Sequence, residues 1–201
     1  IMAVFARAQY AIGLHWHHFE QPILPPVIPG DIRTSGNLRP DLILVYLPFE
    51  SRTDIKNALN PFTDYTFAVY AGDRHMKQLT EGNIVWNPFS KTGFFDDLSQ
   101  CSGVICNAGF ELPSEALFLG KKLLVKPLTR QFEQESNARA VKALDLGMTM
   151  MTLDKQTIEQ WLNQPAGKRM QYPDVASHIS RWVLGGNWSD TTGLVRACWQ
   201  L

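Results

Sequence analysis

Short apolar runs alternate with amphipathic stretches along most of the chain, and this alternation predicts its secondary structure. The apolar runs predict β-strands over residues 41–49, 65–71, 83–89, 103–107, 121–128 and 148–152. The amphipathic stretches predict helices over residues 51–60, 91–100, 113–119, 133–147, 154–164 and 173–186. Gly147 is expected to end the helix over 133–147 as its left-handed C-terminal residue. Strands that are apolar throughout and are separated by single helices indicate a parallel sheet with helices on both faces. The fold prediction is therefore an α/β, doubly wound parallel sheet.

The chain divides into three parts by composition. Residues 20–33 carry four prolines and a glycine, and proline both fixes φ and lacks a ladder donor, so this stretch is predicted to be an extended connector. We expect residues 1–35 to be the end of an upstream domain followed by this connector. Residues 36–186 would form the sheet domain, and residues 187–201 a C-terminal tail. Because the first residues enter an apolar stretch at once, we expect the chain to be a fragment of a longer protein.

Composition and charge exclude several classes of protein. Of the 201 residues, 45% are hydrophobic and 19% are charged, and the net charge is zero, so a nucleic-acid-binding surface is not expected. No run of about 18 apolar residues is present, so we predict no membrane span. The three cysteines are scattered and odd in number, which favours a reducing, cytoplasmic location over a disulfide framework.

The stretch "NAGFELPSEALFLGKK" at 107–122 carries the first candidate site. Asn107 and Gly109 follow an apolar strand, and ligands of open parallel sheets bind at such carboxyl ends. We expect Gly109 to permit a tight turn and a close approach, and Pro113 to be the first helical residue. The first-turn amides would then suit a phosphate, and the Glu115 carboxylate a vicinal diol. An ordinary turn and helix in which Glu115 only caps the dipole stays open on these residues alone.

A second polar segment, "TRQFEQESNA" at 129–138, follows the next predicted strand. Glu133, Gln134 and Asn137 lie at the start of its helix, where they suit a hydroxyl-rich ligand. By themselves these three residues are equally consistent with a capping segment.

Together the two segments resemble the donor-binding half of GT-B glycosyltransferases. The resemblance is strongest to the glycosyltransferase family 28 and UDP-glycosyltransferase group, and covers about residues 40–185. The matching positions are Gly109, Glu115, Gly120, Glu133, Gln134, Asn137 and Ala138. The resemblance implies a fold of two Rossmann-like domains, with the sugar nucleotide bound mainly by the C-terminal domain, which is the part present here.

The resemblance also implies roles for individual residues. The backbone near Trp86 and Phe89 would hold the base, and Glu115 the ribose hydroxyls. The sugar would contact Glu133 and Gln134. The amides near Gly109, Phe110, Glu111 and Leu112 would hold the pyrophosphate, and Asn107, at the same strand end, is a further donor-binding candidate.

Three positions depart from the family pattern. Leu112 stands where the family often has Ser or Thr, and the turn "LPFESR" at 47–52 lacks a Gly-Ser pair. Glu111 adds a negative charge beside the phosphates, which Arg130 is a candidate to offset.

The function implied by the resemblance is inverting transfer of a glycosyl group from a UDP-sugar to an acceptor hydroxyl. Helix amides, and neither a metal nor a cofactor, would stabilise the departing diphosphate. The partners expected are the nucleotide-sugar donor, an unidentified acceptor and an upstream N-terminal domain. The general base would belong to that domain, so the fragment alone would bind donor without turnover. Two alternatives stay open: a UDP-sugar 2-epimerase, which "EQESNA" argues against, and a non-catalytic binding module, which Glu111 and Leu112 favour.

The stretch "HWHHF" at 15–19 suggests a metal site at first sight. On a strand His15 and His17 would share a face, and two histidines can begin a zinc site. Apart from Glu20 no nearby residue completes the ligand set, so we expect no metal. His15, His17 and His18 are expected to line the interdomain cleft or to pack.

Overall fold

The computed structural model describes residues 9–30, 32, 37–70 and 77–200. Within the chain, contacts form two compact units, one from residues 1–30 with 171–201 and the other from residues 31–170. The predicted boundary at residues 35 and 36, and the last residue of the predicted strand 65–71, lie outside the described residues. The three-part division therefore stays a prediction.

The described strands and helices follow the predicted alternation. The strands are β1 (Gly13–Leu14), β2 (Ile23–Leu24), β3 (Arg39–Tyr46), β4 (Thr66–Tyr70), β5 (Leu79–Glu81), β6 (Ile84–Asn87), β7 (Cys101–Asn107), β8 (Lys122–Lys126) and β9 (Met148–Thr149). The helices are α1 (Arg52–Leu59), α2 (Lys91–Gln100), α3 (Glu111–Phe118), α4 (Phe132–Ala143), α5 (Lys155–Leu162), α6 (Val175–Gly185) and α7 (Thr191–Trp199). Among the described residues, no helix combines the length and the apolar character that a membrane span requires.

Seven strands of the second unit form one sheet in the order β5-β6-β4-β3-β7-β8-β9. All neighbouring pairs are parallel except β5 with β6, which are antiparallel. The predicted doubly wound α/β sheet is thereby confirmed. The short edge strand β5 was not predicted, because residues 79–81 contain one apolar side chain and two polar ones.

The sheet is buried on both faces, as a parallel sheet requires. On one face, alternate strand residues such as Ile43, Val45 and Ile105 join α1 and α5 in a single apolar cluster. The strand residues between them, such as Leu44 and Val104, are also fully buried. Helix α2 contacts β3 and β7, α3 contacts β7 and β8, and α4 contacts β9, which accounts for strands that are apolar throughout.

The end of α3 has the predicted glycine cap. Gly120 has φ +71, its amide donates to Leu117 O over 3.1 Å, and the Lys121 amide donates to Ala116 O over 2.9 Å. These two bonds form a Schellman motif. The start of α3 is two residues earlier than predicted, so Pro113 is the third helical residue and not the first. Proline is accommodated there because the first four helical amides have no intrahelical acceptor.

Two other helix ends differ from the prediction. Helix α4 ends at Ala143, and Asp145, with φ +53, takes the left-handed position that had been assigned to Gly147. Position 147 requires a glycine for another reason, because a Cβ there would lie 2.5 Å from Leu123 O. Helix α6 begins at Val175 and not at Pro173, because the Asp174 side chain accepts from the Ser177 amide over 3.0 Å and so caps it.

The first unit has a small core of its own. Leu24 of β2 packs with Val175, Leu194 and Cys198 from the two helices α6 and α7. Helix α7 lies within the residues predicted to be a tail and was not predicted. Helix α6, expected to belong with the sheet, groups with this unit by its contacts.

Candidate functional site

The candidate site lies at the carboxyl edge of the sheet, where three neighbouring parallel strands end. Strand β7 lies between β3 and β8, with Tyr46 in register with Cys106 and Asn107 in register with Lys126. Because these strands are parallel, the connections to α1, α3 and α4 all leave from this edge. The residues predicted from the two sequence segments therefore lie on adjacent connections.

The turn between β7 and α3 is open to the outside. A Cβ built on Gly109 would meet nothing within 4 Å, so there is room for a ligand against this backbone. The φ of Gly109 is not in the left-handed range, so the three-residue connection between β7 and α3 does not depend on a left-handed residue there. Helix α3 begins at Phe110 and Glu111 without a side-chain cap. Glu115 is the fifth helical residue and is half-buried, so it lies in the second turn and not in the first.

Asn107 ends β7 and is buried. Its Nδ2 donates to Lys126 O over 3.0 Å, which fixes the side-chain amide against the end of β8. Its Oδ1 is buried and has no hydrogen-bond partner in the described part of the chain. An unsatisfied acceptor at this edge is costly, and it is uncommon in native structures.

The connection from β8 to α4 is held by side chains of the helix it leads into. Gln134 is buried, and its Oε1 accepts from the Leu128 amide over 3.0 Å. Glu135 Oε1 accepts from the amide of Arg130, whose backbone has φ +64 and whose side chain is exposed. Glu133 is exposed at the same helix start. Gln134 therefore has a structural bond, and its predicted role in binding a ligand stays a prediction.

Asn137 joins the two connections. It is buried, and its Nδ2 donates to Ala108 O over 3.0 Å, so α4 is tied to the turn that precedes α3. This bond joins two residues of the predicted segments that are 29 positions apart in the sequence.

Trp86 lies in β6 and is completely buried. Its Nε1–H donates to Glu81 Oε2 over 2.8 Å, and the Arg52 guanidinium lies 4.5 Å from the ring centroid. The hydrogen bond from Lys56, together with those from Trp86 and Arg52, lowers the pKa of Glu81. The Trp86 ring is thus enclosed, and its backbone lies between β4 and β5, opposite Val69 and Leu79. The predicted contact of a base with the backbone of this stretch stays a prediction. Phe89 follows the strand and is 43% exposed.

A buried ion pair at the same edge was not predicted. Lys126 Nζ, at the end of β8, lies 2.5 Å from Glu50 Oε1 in the connection after β3. The two side chains are only 10% and 18% exposed. A lysine inside the apolar run "LLVKPL" was a sequence signal for a buried cation, although not for its partner.

A second buried polar contact lies at the end of β4. Tyr70 Oη donates to Asp97 Oδ2 of α2 over 2.7 Å. Burial is the main cause that raises the pKa of Asp97, although the bond from Tyr70 acts in the opposite direction. Burial also raises the pKa of Tyr70.

The histidines at 15–18 are engaged with their own backbone. The Nδ1 atoms of His15, His17 and His18 accept from the amides of Trp16, Phe19 and Glu20 over 2.9, 2.9 and 3.1 Å. An accepting Nδ1 places the proton of a neutral ring on Nε2, so neither nitrogen then has a lone pair for a metal. Within residues 9–30, 32, 37–70 and 77–200, no cluster of three or more His, Cys, Asp and Glu side chains could hold a metal ion.

Comparisons with known proteins agree with this architecture. The family model described as glycosyl transferase family 1 matches residues 14–165, which is most of the chain. The chain belongs to glycosyl transferase family 1. No curated protein sequence is similar enough to count as a relative.

Several solved glycosyltransferases share the fold of this family 1 chain. The glycosyltransferase of kitacinnamycin is 16% identical, with a TM-score of 0.53 over 87% of this chain and 45% of its own. The calicheamicin glycosyltransferase CalG4 is 16% identical, with a TM-score of 0.52 over 71% of this chain and 38% of its own. VinC, solved in complex with dTDP, is 16% identical, with a TM-score of 0.50 over 80% and 42%. The chain thus spans less than half the length of these proteins, and the predicted resemblance to GT-B glycosyltransferases is confirmed.

Proposed function

We propose that this chain is the donor-binding half of an enzyme that transfers a sugar from a UDP-sugar to an acceptor hydroxyl with inversion. The observation that carries the proposal is the uncapped start of α3 beside the open backbone at Gly109, at the carboxyl end of β7. A helix start at a strand end suits a phosphate, because amides point outward and the dipole favours negative charge. The similar protein VinC was solved with dTDP, a nucleoside diphosphate, which supports a nucleotide donor here.

The rest of the donor would follow the sheet edge in both directions from α3. The ribose hydroxyls would bind Glu115, the pyrophosphate the backbone from Asn107 to Leu112, and the base the backbone between Trp86 and Phe89. The sugar would extend toward the neighbouring connection, where Glu133 is exposed. Gln134 would donate to the sugar from its Nε2 while its Oε1 continues to accept from the Leu128 amide. Arg130 would offset the charge of Glu111.

The remaining parts of the reaction would come from elsewhere. The general base and the acceptor site would belong to an upstream domain, so this chain alone would bind donor without transferring it. Departure of the diphosphate would be assisted by the α3 amides as preorganised donors. The cysteines Cys101, Cys106 and Cys198 are buried and form no disulfide, which supports the proposed cytoplasmic location.

Calorimetric titration tests the nucleotide assignment. UDP should bind more tightly than GDP or ADP, and TDP is the necessary competitor because of VinC. Glu115→Gln should weaken UDP binding about ten- to a hundredfold, because charge-assisted hydroxyl bonds contribute about 1.5–3 kcal/mol. Glu159→Gln, an exposed glutamate of α5, is the control with the same charge change. If neither UDP nor TDP binds at millimolar concentration, the proposal is wrong.

The sugar subsite needs variants that respect the Gln134 bond. Glu133→Gln and Gln134→Glu keep an acceptor for the Leu128 amide, whereas Gln134→Ala would also leave that amide unpaired. Both variants should bind UDP like the parent chain and should lose any extra affinity for UDP-sugar. Loss of UDP affinity in either folded variant would instead assign that residue to the nucleotide.

A further inference from the structure

The buried ion pair between Lys126 and Glu50 spans the carboxyl end of β7. Lys126 is the last residue of β8, and Glu50 lies four residues beyond the end of β3. Since β7 lies between those two strands, the ion pair links the two connections on either side of its end. Parallel strands are about 4.8 Å apart, so the pair bridges about 10 Å, which is the combined reach of the two side chains. Lys126 is also in register with Asn107, the last residue of the strand that leads into Gly109 and α3, and its carbonyl accepts from Asn107 Nδ2 over 3.0 Å.

This ion pair is expected to add little to the folding stability of the chain. Both side chains are largely buried, and the desolvation of two charges usually cancels their attraction. The other cations that follow strand ends at this edge, such as Arg130 and Lys155, are exposed in the described structure. Lys126 is thus a largely desolvated, fixed cation next to the strand end at which the proposed ligand would carry its negative charge.

We propose that Lys126 binds the diphosphate of the donor, and that Glu50 is an internal counter-ion which the diphosphate displaces. This inference rests on the proposed function and adds Lys126 to the donor-binding residues that the two sequence segments predicted. In the unliganded chain the Glu50 carboxylate occupies the position beside the Lys126 ammonium that a phosphate would take. A cavity of about 410 Å³ borders both side chains, so Glu50 has room to move away when a phosphate replaces it.

The two members of the pair should have opposite effects on binding, which a structural ion pair would not show. Lys126→Gln should weaken UDP binding about ten- to a hundredfold, and UMP binding less, because UMP lacks the distal phosphate. Glu50→Gln should strengthen UDP binding severalfold, because the competing carboxylate is gone. In the double variant the gain from Glu50→Gln should disappear, since it acts through Lys126.

The exposed ion pair between Lys168 and Asp145 supplies matched controls. Its side chains are 66% and 88% exposed, and Lys168→Gln and Asp145→Asn make the same changes in net charge. Neither control should alter UDP affinity. The measurement is calorimetric titration of UDP and UMP, with circular dichroism to show that each variant is folded. If Lys126→Gln does not fold, the double variant, which leaves no unpaired buried charge, is compared with the parent chain instead.

The results separate this inference from the one beneath it. If the parent chain binds no nucleoside diphosphate, both are overturned. If the parent binds UDP and Lys126→Gln or its double variant binds equally well, only the role of Lys126 is overturned. If Glu50→Gln weakens binding, Glu50 positions Lys126 and does not compete, so the displacement is wrong.

Discussion

Replacing Asn137 by alanine should destabilise the sheet domain, because this side chain joins the two connections of the candidate site. Its Nδ2 donates to Ala108 O over 3.0 Å, and both residues are buried. The alanine variant leaves the Ala108 carbonyl without that donor, and an unsatisfied buried acceptor costs about 1–3 kcal/mol. For a chain of this size each kcal/mol corresponds to about 2–4 °C in Tm. The expected decrease is therefore roughly 2–12 °C.

Urea denaturation followed by tryptophan fluorescence measures this effect, since Trp86 and Trp161 are fully buried in the same domain. The midpoint should fall while the slope with urea stays constant, because the surface exposed on unfolding is unchanged. Asn137→Asp should be worse than Asn137→Ala, because a carboxylate oxygen faces the carbonyl and cannot donate. Ser136→Ala, at an exposed neighbour on α4, should change stability by less than about 0.5 kcal/mol. If Asn137→Ala unfolds with the midpoint of this control, the hydrogen bond does not hold the two connections together.

For three further substitutions the structure predicts the direction of the change in stability or in UDP affinity. Burial raises the pKa of Asp97 above its ordinary 3.8. The folding stability that this group contributes is therefore fully present below pH 3.8 and is lost as pH rises through the pKa of the folded state. The stability of the parent chain relative to Asp97→Asn, measured by urea at pH 3.5 to 7, should accordingly fall as pH rises, and a flat difference would contradict this. Gly147→Ala should cost about 1–3 kcal/mol because its Cβ would lie 2.5 Å from Leu123 O, whereas Gly185→Ala, with open space, should be tolerated. Glu111→Gln should lose about 0.3–1 kcal/mol of dipole stabilisation yet gain UDP affinity, and equal affinity in calorimetry would argue against a phosphate at α3.

The sheet could be predicted from the sequence because the patterns that specify its strands and helices are local. Apolar runs and single helices specify a parallel sheet, and Gly120 marks the end of α3 by its left-handed backbone. Local signals failed where two residue types serve equally well. Asp145 tolerates the left-handed conformation that was assigned to Gly147, and the uncapped start at Phe110 was hidden by the more conspicuous Pro113.

The candidate site was predictable only as two separate segments. That Asn137 contacts Ala108, and that Lys126 contacts Glu50, depends on strand order, which a single sequence does not contain. Strand β7 enters the sheet between β3 and β8 although β4 and β6 come earlier along the chain. Pairs that form across such a crossover, 76 residues apart for Lys126 and Glu50, have no periodic signature.

The charges at the start of α3 explain why a second cation matters to the proposed donor site. A helix start carries about half a positive charge, and Glu111, the first helical residue, adds a full negative one. Pro113 further removes one of the amides that could face a phosphate. The helix start alone is therefore close to neutral or negative, and a diphosphate would need a cation from another element. Arg130 is exposed and is screened by salt, whereas Lys126 is nearly buried and is screened much less. On the proposed reading, the part of the diphosphate affinity that survives at high ionic strength is the part that Lys126 supplies.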